Sequence, residues 1–409
     1  MAWVWFLLTL TLLSTLAQPP ERREEAVPNN NRCIVLLLRR LGLANRLGSL
    51  ADWYLVARTT NRKLIVSWTP SPDLNASFDK LFDVARLPSN LQVLPYVLDT
   101  EEMVAQYAKE NNLTYGVVQH SGDWWGGSAL DPSKETFFIN ASKVLDTSVQ
   151  VLVSTWDGYL SLSSQSCQYY LTKRSKFLQS LHPVEWIQTF LANFVDEHLR
   201  NRLVVGVHVR VDDPAFDWNV VPPLQRGDTS ALGFSSASLS AFERTIADIT
   251  SHFNSHGQEV TFLLASNSDS VKTHLHSKFS NTISMSGNTA RYSEDGMAFA
   301  LLEWLALSQT DLVINTYGST FAAEAAQVHQ VPLVGVWGEH LIQHSDVRLA
   351  FCGHMQHVKA LSVRGSFGVF EEGTHDRRRV DSRQALLLPC SLLEDWGIRG
   401  TFCTSRGET

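Results

Sequence analysis

The residues of this sequence best suited to do chemistry are His208, Arg210 and Asp213, which follow an apolar run at 203–207. The length and valine content of that run predict a buried strand. In open α/β sheets, ligands bind at the carboxyl ends of the strands, where these three side chains would lie. The rigid guanidinium fork of arginine matches two phosphate oxygens, so the segment predicts an anion site. The alternative is a core strand whose arginine and aspartate pair with each other.

A second anion-binding feature is predicted in the first part of the chain. Cys33–Leu38 and Lys63–Trp68 have the composition of buried strands, and apolar residues recur with helical spacing over 47–57 between them. This strand–loop–helix–strand unit has a crossover length suited to a parallel sheet. Gly42 in the turn lets the backbone approach a ligand, and the N–H groups at the helix N-terminus are available to an anion.

The elements that must position these residues alternate between strand and helix in the second half of the chain. The predicted strands are 203–207, 259–265, 281–285, 311–314 and 331–336, and the predicted helices are 183–199, 237–252, 271–279 and 296–308. This alternation with short loops indicates an α/β protein with a doubly wound sheet. The length of 409 residues suits two domains.

Two of these helices carry a distinctive pattern. In the helix at 183–199, Trp186, Phe190 and Phe194 belong to one apolar stripe, which predicts a face buried in the core. The last predicted helix is apolar apart from one acid, Glu303. A lone carboxylate in such a helix needs a partner, which favours a functional role for Glu303.

The first 17 residues predict a secretory signal peptide. An apolar stretch at 2–13 precedes small residues spaced for cleavage after Ala17, and it is shorter than the roughly 20 apolar residues of a membrane span. The alternative is a retained membrane anchor, because no basic residue precedes the stretch. Residues 18–31 are polar and contain proline, and they predict a flexible leader.

The sequence contains three N-glycosylation acceptor patterns, at Asn75, Asn112 and Asn140. Such patterns can be glycosylated only in a protein that enters the secretory pathway. The five cysteines permit at most two disulfides and one free thiol in an oxidising compartment. No cysteine or histidine spacing suggests a zinc site. The net charge of −7 and the lack of a long Lys/Arg run argue against nucleic-acid binding.

Four motifs, taken in order, give the chain a resemblance to a known family. They are Gly-Leu-Ala-Asn-Arg-Leu at 42–47, His-x-Arg-x-x-Asp at 208–213, a strand ending in Ala-Ser-Asn at 265–267, and Gly-Ser-Thr-Phe at 318–321. The ordered set resembles the superfamily of GDP-fucose-dependent fucosyltransferases, which includes the α1,6, α1,2, nodulation and protein O-fucosyltransferases. The resemblance covers roughly residues 33–336 and is firmer after residue 200.

The resemblance implies a GT-B-like fold, in which two Rossmann-like doubly wound domains face each other across a cleft. The expected boundaries are 32–200 for an N-terminal, acceptor-side domain and 201–360 for a C-terminal domain that binds the GDP-sugar. For the extension at 361–409, packing back on the N-terminal domain is an open alternative. Members of the family transfer fucose with inversion, so the resemblance implies GDP-fucose as donor substrate with no metal and no other cofactor.

The resemblance also assigns roles to residues. Arg210 would contact the β-phosphate of GDP and offset the charge that develops on the leaving diphosphate. Glu303 would accept hydrogen bonds from guanine N1 and N2, and Asp213 would orient the arginine or its loop. His208 would either contact the nucleotide or shape the loop through a backbone hydrogen bond. The remaining donor-binding positions are Ser319 and Thr320 at the phosphates, and Gly42 and Asn45 in the first-domain loop.

Several positions depart from the family or leave a choice open. Val211 stands where the α1,6 and α1,2 enzymes have a second arginine, and Asn267 replaces an acid, although an amide cannot act as a base. Asp217 is the candidate general base, and an ordinary exposed loop acid is the alternative. Trp124 and Trp125 would either stack on sugars or lie buried in the core.

Together these features predict an inverting, metal-independent glycosyltransferase that moves fucose from GDP-fucose to a hydroxyl of a glycan or glycoprotein. Its expected partners are the nucleotide-sugar donor and that acceptor, with neither nucleic acid nor a stable membrane span. The expected compartment is the lumen of the endoplasmic reticulum or Golgi, or the outside of the cell. The alternatives are a transferase of another guanine-nucleotide sugar and a noncatalytic glycan-binding relative, which Asn267 favours.

Overall fold

The computed structural model consists of two β-sheets and the helices that pack on them. The described residues are 32–38, 42–71, 74–95, 98, 100–117, 150–154, 167–210, 239–287, 292–316, 319–337 and 340–343. Predictions that lie outside these residues concern the signal peptide 1–17, the leader 18–31, the extension 361–409, Trp124, Trp125, Asn140, Val211, Asp213 and Asp217.

Each sheet is built from one half of the chain. The first sheet contains β1 (Cys33–Leu38), β2 (Lys63–Trp68), β3 (Leu91–Val93), β4 (Tyr115–Val117) and β5 (Val151–Ser154). The second contains β6 (Leu203–Val209), β7 (Val260–Ser266), β8 (Thr282–Ser284), β9 (Leu312–Thr316), β10 (Leu333–Trp337) and β11 (His340–Gln343).

The helices follow the strands in chain order. They are α1 (Leu43–Thr59), α2 (Phe78–Leu81), α3 (Glu101–Glu110), α4 (Cys167–Ser180), α5 (Glu185–Phe194), α6 (Leu239–Ser255), α7 (Asp269–Lys278), α8 (Glu294–Leu307) and α9 (Thr320–His329). A 3-10 turn spans Val84–Arg86, and a π-helical turn at Val195–Leu199 continues α5.

The strand order places a ligand-binding crevice in the second sheet. That order is β11-β10-β9-β6-β7-β8, with every neighbouring pair parallel except β10 and β11. The chain moves from β6 outward to β8 on one side, and then returns to β9 on the other side. The order therefore reverses between β6 and β9, and a doubly wound sheet binds ligands at the carboxyl ends of the strands beside such a reversal.

The first sheet is parallel throughout, in the order β3-β2-β1-β5-β4. Its order reverses between β1 and β5, so the turn that contains Gly42 lies at the corresponding place. With both sheets present and almost wholly parallel, the predicted α/β class is confirmed.

The strands are buried on both faces, as their continuous apolar composition predicts. In β1, Ile34 and Leu36 point into one apolar cluster while Val35 and Leu37 point into another. This alternation follows from the two-residue period of a strand. Each sheet therefore requires a covering layer on both of its faces.

One apolar core is shared by the two sheets. It joins side chains of the first sheet and α1, such as Leu36 and Trp53, to side chains of the second sheet, α8 and α9, such as Leu263, Trp304 and Ala325. The helices α1, α8 and α9 thus form part of a layer between the sheets. A separate cluster covers the far face of the second sheet beneath α6 and α7.

Two sequence predictions about helices are wrong. Trp186 and Phe190 are 53% and 41% exposed, although their stripe was expected in the core. Phe194, another member of that stripe, is buried as predicted, and it shares the buried face of α5 with Ile187, which lies two turns earlier and was not in the stripe. Residues after Gly42 were expected in a loop, yet α1 begins at Leu43.

Among the described helices, none combines the length and the apolar character needed to cross a membrane. Of the described thiols, Cys33 is free and buried, and burial raises its pKa to about 11. A thiol with that pKa is protonated at neutral pH and is a poor nucleophile.

Candidate anion-binding site

The carboxyl ends of β6 and β9 are tied together at the reversal of the second sheet. His208 lies beside Asn315 in the parallel register. Just beyond this pair, the backbone N–H of Arg210 donates to the Thr316 hydroxyl oxygen at 2.9 Å, and that hydroxyl donates to the His208 carbonyl at 3.4 Å. These bonds fix the backbone of Arg210 at the rim of the sheet, where its side chain is half-buried.

The N-terminus of α9 faces the same rim and has unused hydrogen-bonding groups. Ser319 is the N-cap residue, but its side chain makes no capping bond. Ser319 is 2% exposed, and its hydroxyl has no hydrogen-bond partner among the described residues. The first turn of α9, which begins at Thr320, contains no acid. Unpaired N–H groups and a positive dipole end make this position favourable for an anion.

A chain of hydrogen bonds holds the turn before α9 in place. The Asn315 amide nitrogen donates to the Ser319 carbonyl at 3.0 Å, so its oxygen faces His208 Nδ1 at 2.9 Å. His208 Nδ1 must then carry the proton, since an amide oxygen only accepts. The imidazole also stacks on Phe321 with 5.1 Å between ring centroids. Of the two predicted roles of His208, these contacts favour shaping the turn, with the Asn315 side chain as partner.

Glu303 lies on α8 and already has a partner inside the protein. Its Oε1 atom is 2.5 Å from Lys272 Nζ of α7, and both side chains are at least nine-tenths buried. Desolvation by burial raises the pKa of Glu303 to about 7, although the Lys272 charge lowers it. The sequence argument that this acid needs a partner therefore holds, and within the protein that partner is Lys272. The amino group comes from another helix 31 residues earlier in the chain, which the composition of α8 could not show.

Gly42 and Asn45 lie at the N-terminus of α1, the equivalent position in the first sheet. Gly42 is the N-cap and has no side-chain capping bond, and a Cβ there would meet no atom within 4 Å. The next motif residue, Arg46, is fully buried and donates to the Thr69 carbonyl at 2.7 Å and the Ser71 hydroxyl at 3.0 Å. This motif thus combines an open helix end with an arginine that fixes the segment after β2.

The structure brings part of the predicted site together. His208, Arg210, Ser319 and Thr320 meet at the reversal between β6 and β9, whereas Glu303 lies in the ion pair with Lys272. Sequence reasoning missed the contribution of three residues, Asn315, Thr316 and Lys272. A signal for the first two was present, since they are polar residues that directly follow the predicted strand 311–314, and only one residue separates them from the Gly-Ser-Thr-Phe turn.

The remaining predicted positions that the structure describes are surface asparagines. Asn112 is exposed and has a positive φ of 53° just after α3. Asn75 is exposed too, and its amide nitrogen donates to the Tyr292 carbonyl at 2.8 Å. Within the described residues, no group of three or more His, Cys, Asp or Glu side chains could hold a metal ion.

Comparisons with known proteins find similarity in structure but not in sequence profile. No known family profile matches the chain, and no curated protein matches it. Fucosyltransferase NodZ from Bradyrhizobium is 18% identical, over 74% of this chain and 95% of that chain, with a TM-score of 0.47. NodZ has also been solved after soaking with GDP-fucose.

Two further solved structures are similar to this chain. A mutant of Arabidopsis thaliana FUT1 in complex with GDP is 18% identical, over 80% of this chain and 74% of that chain, with a TM-score of 0.46. POFUT1 in complex with GDP is 13% identical, over 75% of this chain and 96% of that chain, with a TM-score of 0.42.

Proposed function

We propose that this chain is an inverting, metal-independent fucosyltransferase that moves fucose from GDP-fucose to a hydroxyl of a glycan or glycoprotein. One observation carries the proposal. Arg210, the N-terminus of α9 and the Ser319 hydroxyl, which has no partner among the described residues, meet where the strand order of the second sheet reverses. A guanidinium, a hydroxyl and free backbone N–H groups are the donors that a diphosphate requires.

In the proposed reaction, the bond between fucose C1 and the diphosphate oxygen breaks while an acceptor hydroxyl attacks C1 from the opposite face. Negative charge grows on the departing GDP, and the donors around Arg210 stabilise it. His208 and Asn315 keep the Ser319 turn in place through the two hydrogen bonds described above. The base we propose for the acceptor proton is Asp217.

Recognition of guanine is proposed for Glu303. A carboxylate can accept from guanine N1 and N2 together, and Lys272 favours the ionised form that such acceptance needs. Burial acts in the opposite direction on the pKa of Glu303. With a pKa of about 7, the carboxyl group is divided between its neutral and ionised forms near neutral pH, and the guanine contact would use the ionised form that Lys272 favours.

The secretory pathway is the proposed compartment. The support comes from the predicted signal peptide and from the three acceptor patterns for N-glycosylation, of which Asn75 and Asn112 are exposed. The acceptor would then be a glycan or glycoprotein of the same compartment. The proposed chemistry at the donor site is the same whichever acceptor hydroxyl is used.

The first test is nucleotide binding by the purified full-length protein. We expect calorimetry to show binding of GDP and much weaker binding of ADP, since Glu303 would pair with guanine only. Arg210→Ala should lower GDP-fucose turnover by about 100- to 1000-fold, the usual effect of losing one donor to the leaving group. Arg200→Ala is the matched control, because Arg200 is an exposed arginine that pairs with Asp196 on the surface.

The second test is a glycan array incubated with labelled GDP-fucose. Transfer of label to a defined set of glycans, lost in Arg210→Ala and kept in Arg200→Ala, supports the proposal. Absence of GDP binding, or full transfer by Arg210→Ala, contradicts it. Glycan binding without any turnover of GDP-fucose would instead identify a noncatalytic relative.

A further inference from the structure

Three charged side chains lie fully buried between the two sheets. Arg174 of α4 donates from Nε to Asp52 Oδ1 of α1 at 2.6 Å, and from Nη2 to Glu324 Oε2 of α9 at 2.8 Å. All three side chains are 0% exposed. One arginine fork thus joins a helix of the first sheet to a helix of the second.

The packing around this cluster is tight enough to fix the helices against one another. A Cβ added at Gly48 of α1 would come within 2.8 Å of Glu324 Oε1 and 3.0 Å of Arg174 Nη2. The side of α9 nearby consists of buried alanines, including Ala322 and Ala325. Small residues let the axes of α1 and α9 approach closely, and the charged cluster lies in the space they leave.

Contacts between α4 and α9 advance in the same direction along both helices. Arg174 pairs with Glu324, and the later residues Ser175 and Gln179 both donate to the Val328 carbonyl, at 2.7 and 2.6 Å, one turn beyond Glu324. The two helices therefore run in the same direction.

Contacts between α4 and α1 advance together as well. Arg174 lies against Gly48 and pairs with Asp52, and Phe177 stacks on Tyr54 with 4.1 Å between ring centroids. Hence α1 and α9 both begin on the same side of the charged cluster. Gly48 is five residues after the start of α1 and Glu324 four after the start of α9. At 1.5 Å per residue, both N-termini lie about 6–8 Å from the cluster.

We infer that Arg174 is a positioning residue that holds the N-termini of α1 and α9 side by side, so that both contact one diphosphate. The inference rests on the proposed function, since it takes GDP as the ligand. The start of α9, with Ser319, receives the phosphate that GDP shares with GMP, and the start of α1 at Gly42 joins Arg210 at the terminal phosphate of GDP. An apolar core alone would hold the helices together, but the directional fork of Arg174 sets their register.

The test replaces the cluster by apolar side chains and compares binding of GDP with binding of GMP. Exchanging a buried ion cluster for well-packed apolar residues usually keeps a protein folded. In the variant Asp52→Leu/Arg174→Met/Glu324→Met, we expect an unchanged melting temperature and unchanged GMP affinity. GDP affinity should fall by about 10- to 100-fold, the effect of losing charge-assisted hydrogen bonds to one phosphate.

Arg174→Lys is the second variant, for the case in which the triple variant does not fold. An ammonium cannot form the two-pronged contact, so the ratio of GDP to GMP affinity should fall in the same direction. Ser175→Ala is the matched control. It removes a buried hydrogen bond of 2.7 Å from α4 to the Val328 carbonyl of α9, and it should leave the ratio unchanged.

The outcomes separate this inference from the proposed function. Absence of GDP binding by the natural protein contradicts the proposed function. Normal GDP binding with an unchanged GDP-to-GMP ratio in both folded variants overturns the role of Arg174 alone. Equal losses of GDP and GMP affinity also overturn it, because they indicate general distortion of the nucleotide site.

Discussion

The Ser319 hydroxyl is buried without a partner among the described residues. A buried polar group in that state costs roughly 1–3 kcal/mol of the free energy of unfolding. The same hydroxyl would gain a partner when a phosphate oxygen arrives at the start of α9. Removal of this hydroxyl should therefore not destabilise the ligand-free protein, but it should weaken ligand binding.

This reasoning predicts that Ser319→Ala leaves the melting temperature of the ligand-free protein unchanged or raises it, while GDP affinity falls about tenfold. Thermal unfolding and calorimetry measure the two effects. Ser175→Ala is a suitable control, because its hydroxyl is buried but bonded, and its loss should lower stability without changing affinity. A lower melting temperature with unchanged GDP affinity would falsify the assignment of Ser319.

The carboxyl group of Glu303 makes the stability of the fold depend on pH. Burial raises its pKa to about 7, above the ordinary glutamate value of 4.5. Between these two values the folded protein holds the proton more tightly than the unfolded chain does. The stabilisation from this group is therefore complete below pH 4.5 and is lost as the pH rises through 7.

We predict that the melting temperature falls between pH 5 and pH 8 by more in the natural protein than in the variant Lys272→Met/Glu303→Gln. The double substitution removes both charges of the pair, so no unpaired ammonium remains. In free energy of unfolding, the difference should be on the order of 1 kcal/mol for each unit by which the pKa is raised. Parallel pH profiles of the two proteins would show that Glu303 does not titrate in this range.

At the level of elements, the contact between α1 and α9 depends on the absence of a side chain at Gly48. Alanine normally stabilises a helix interior relative to glycine by about 1 kcal/mol. Here the added Cβ would lie 2.8 Å from Glu324 Oε1, which the Arg174 fork holds in place. Because both neighbours are fixed by the ion cluster, the steric cost should exceed the gain in propensity.

Gly48→Ala is therefore expected to lower the free energy of unfolding by about 1–3 kcal/mol. Chemical denaturation measures the change. The control is Gly42→Ala at the start of the same helix, where φ is −66° and a Cβ would meet nothing within 4 Å. That variant should lose only roughly 0.5 kcal/mol, because alanine is a poorer N-cap than glycine, so equal effects of the two substitutions would disprove the packing role of Gly48.

At the level of the whole molecule, the two sheets share one apolar core. Residues of both halves contribute to it, among them Leu36, Trp53, Leu263 and Trp304. Neither half could bury its share of this surface alone. Exposure of that surface on separation would cost about 25 cal/mol for each Å² of apolar area.

A single thermal transition is the expected result, with calorimetric and van't Hoff enthalpies that agree. A fragment containing residues 32–200 alone should lack cooperative unfolding, since α8 and α9 would be missing from its core. Two resolved transitions, or a fragment that unfolds cooperatively, would show that the halves are independently stable.

The elements of the second half could be predicted from sequence because each one has a local pattern. The valine run of β6 and the apolar segment of β7 have the period and length of buried strands, and the structure contains both. The face of α5 could not be predicted, since Trp186 and Ile187 are equally apolar and only the neighbouring surface selects one of them. The short strands β3 and β4 have too few residues to show a period.

The sequence by itself determined the α/β class and the meeting of Arg210 with Ser319 and Thr320. Strand ends and helix starts are encoded within short segments, and parallel strands bring their carboxyl ends to one edge. Only the tertiary structure decided the partners of buried charges. Lys272 meets Glu303 across 31 residues, and Arg174 meets Asp52 and Glu324 across 122 and 150. Such pairs depend on how whole helices pack, and no local spacing in the chain records that packing.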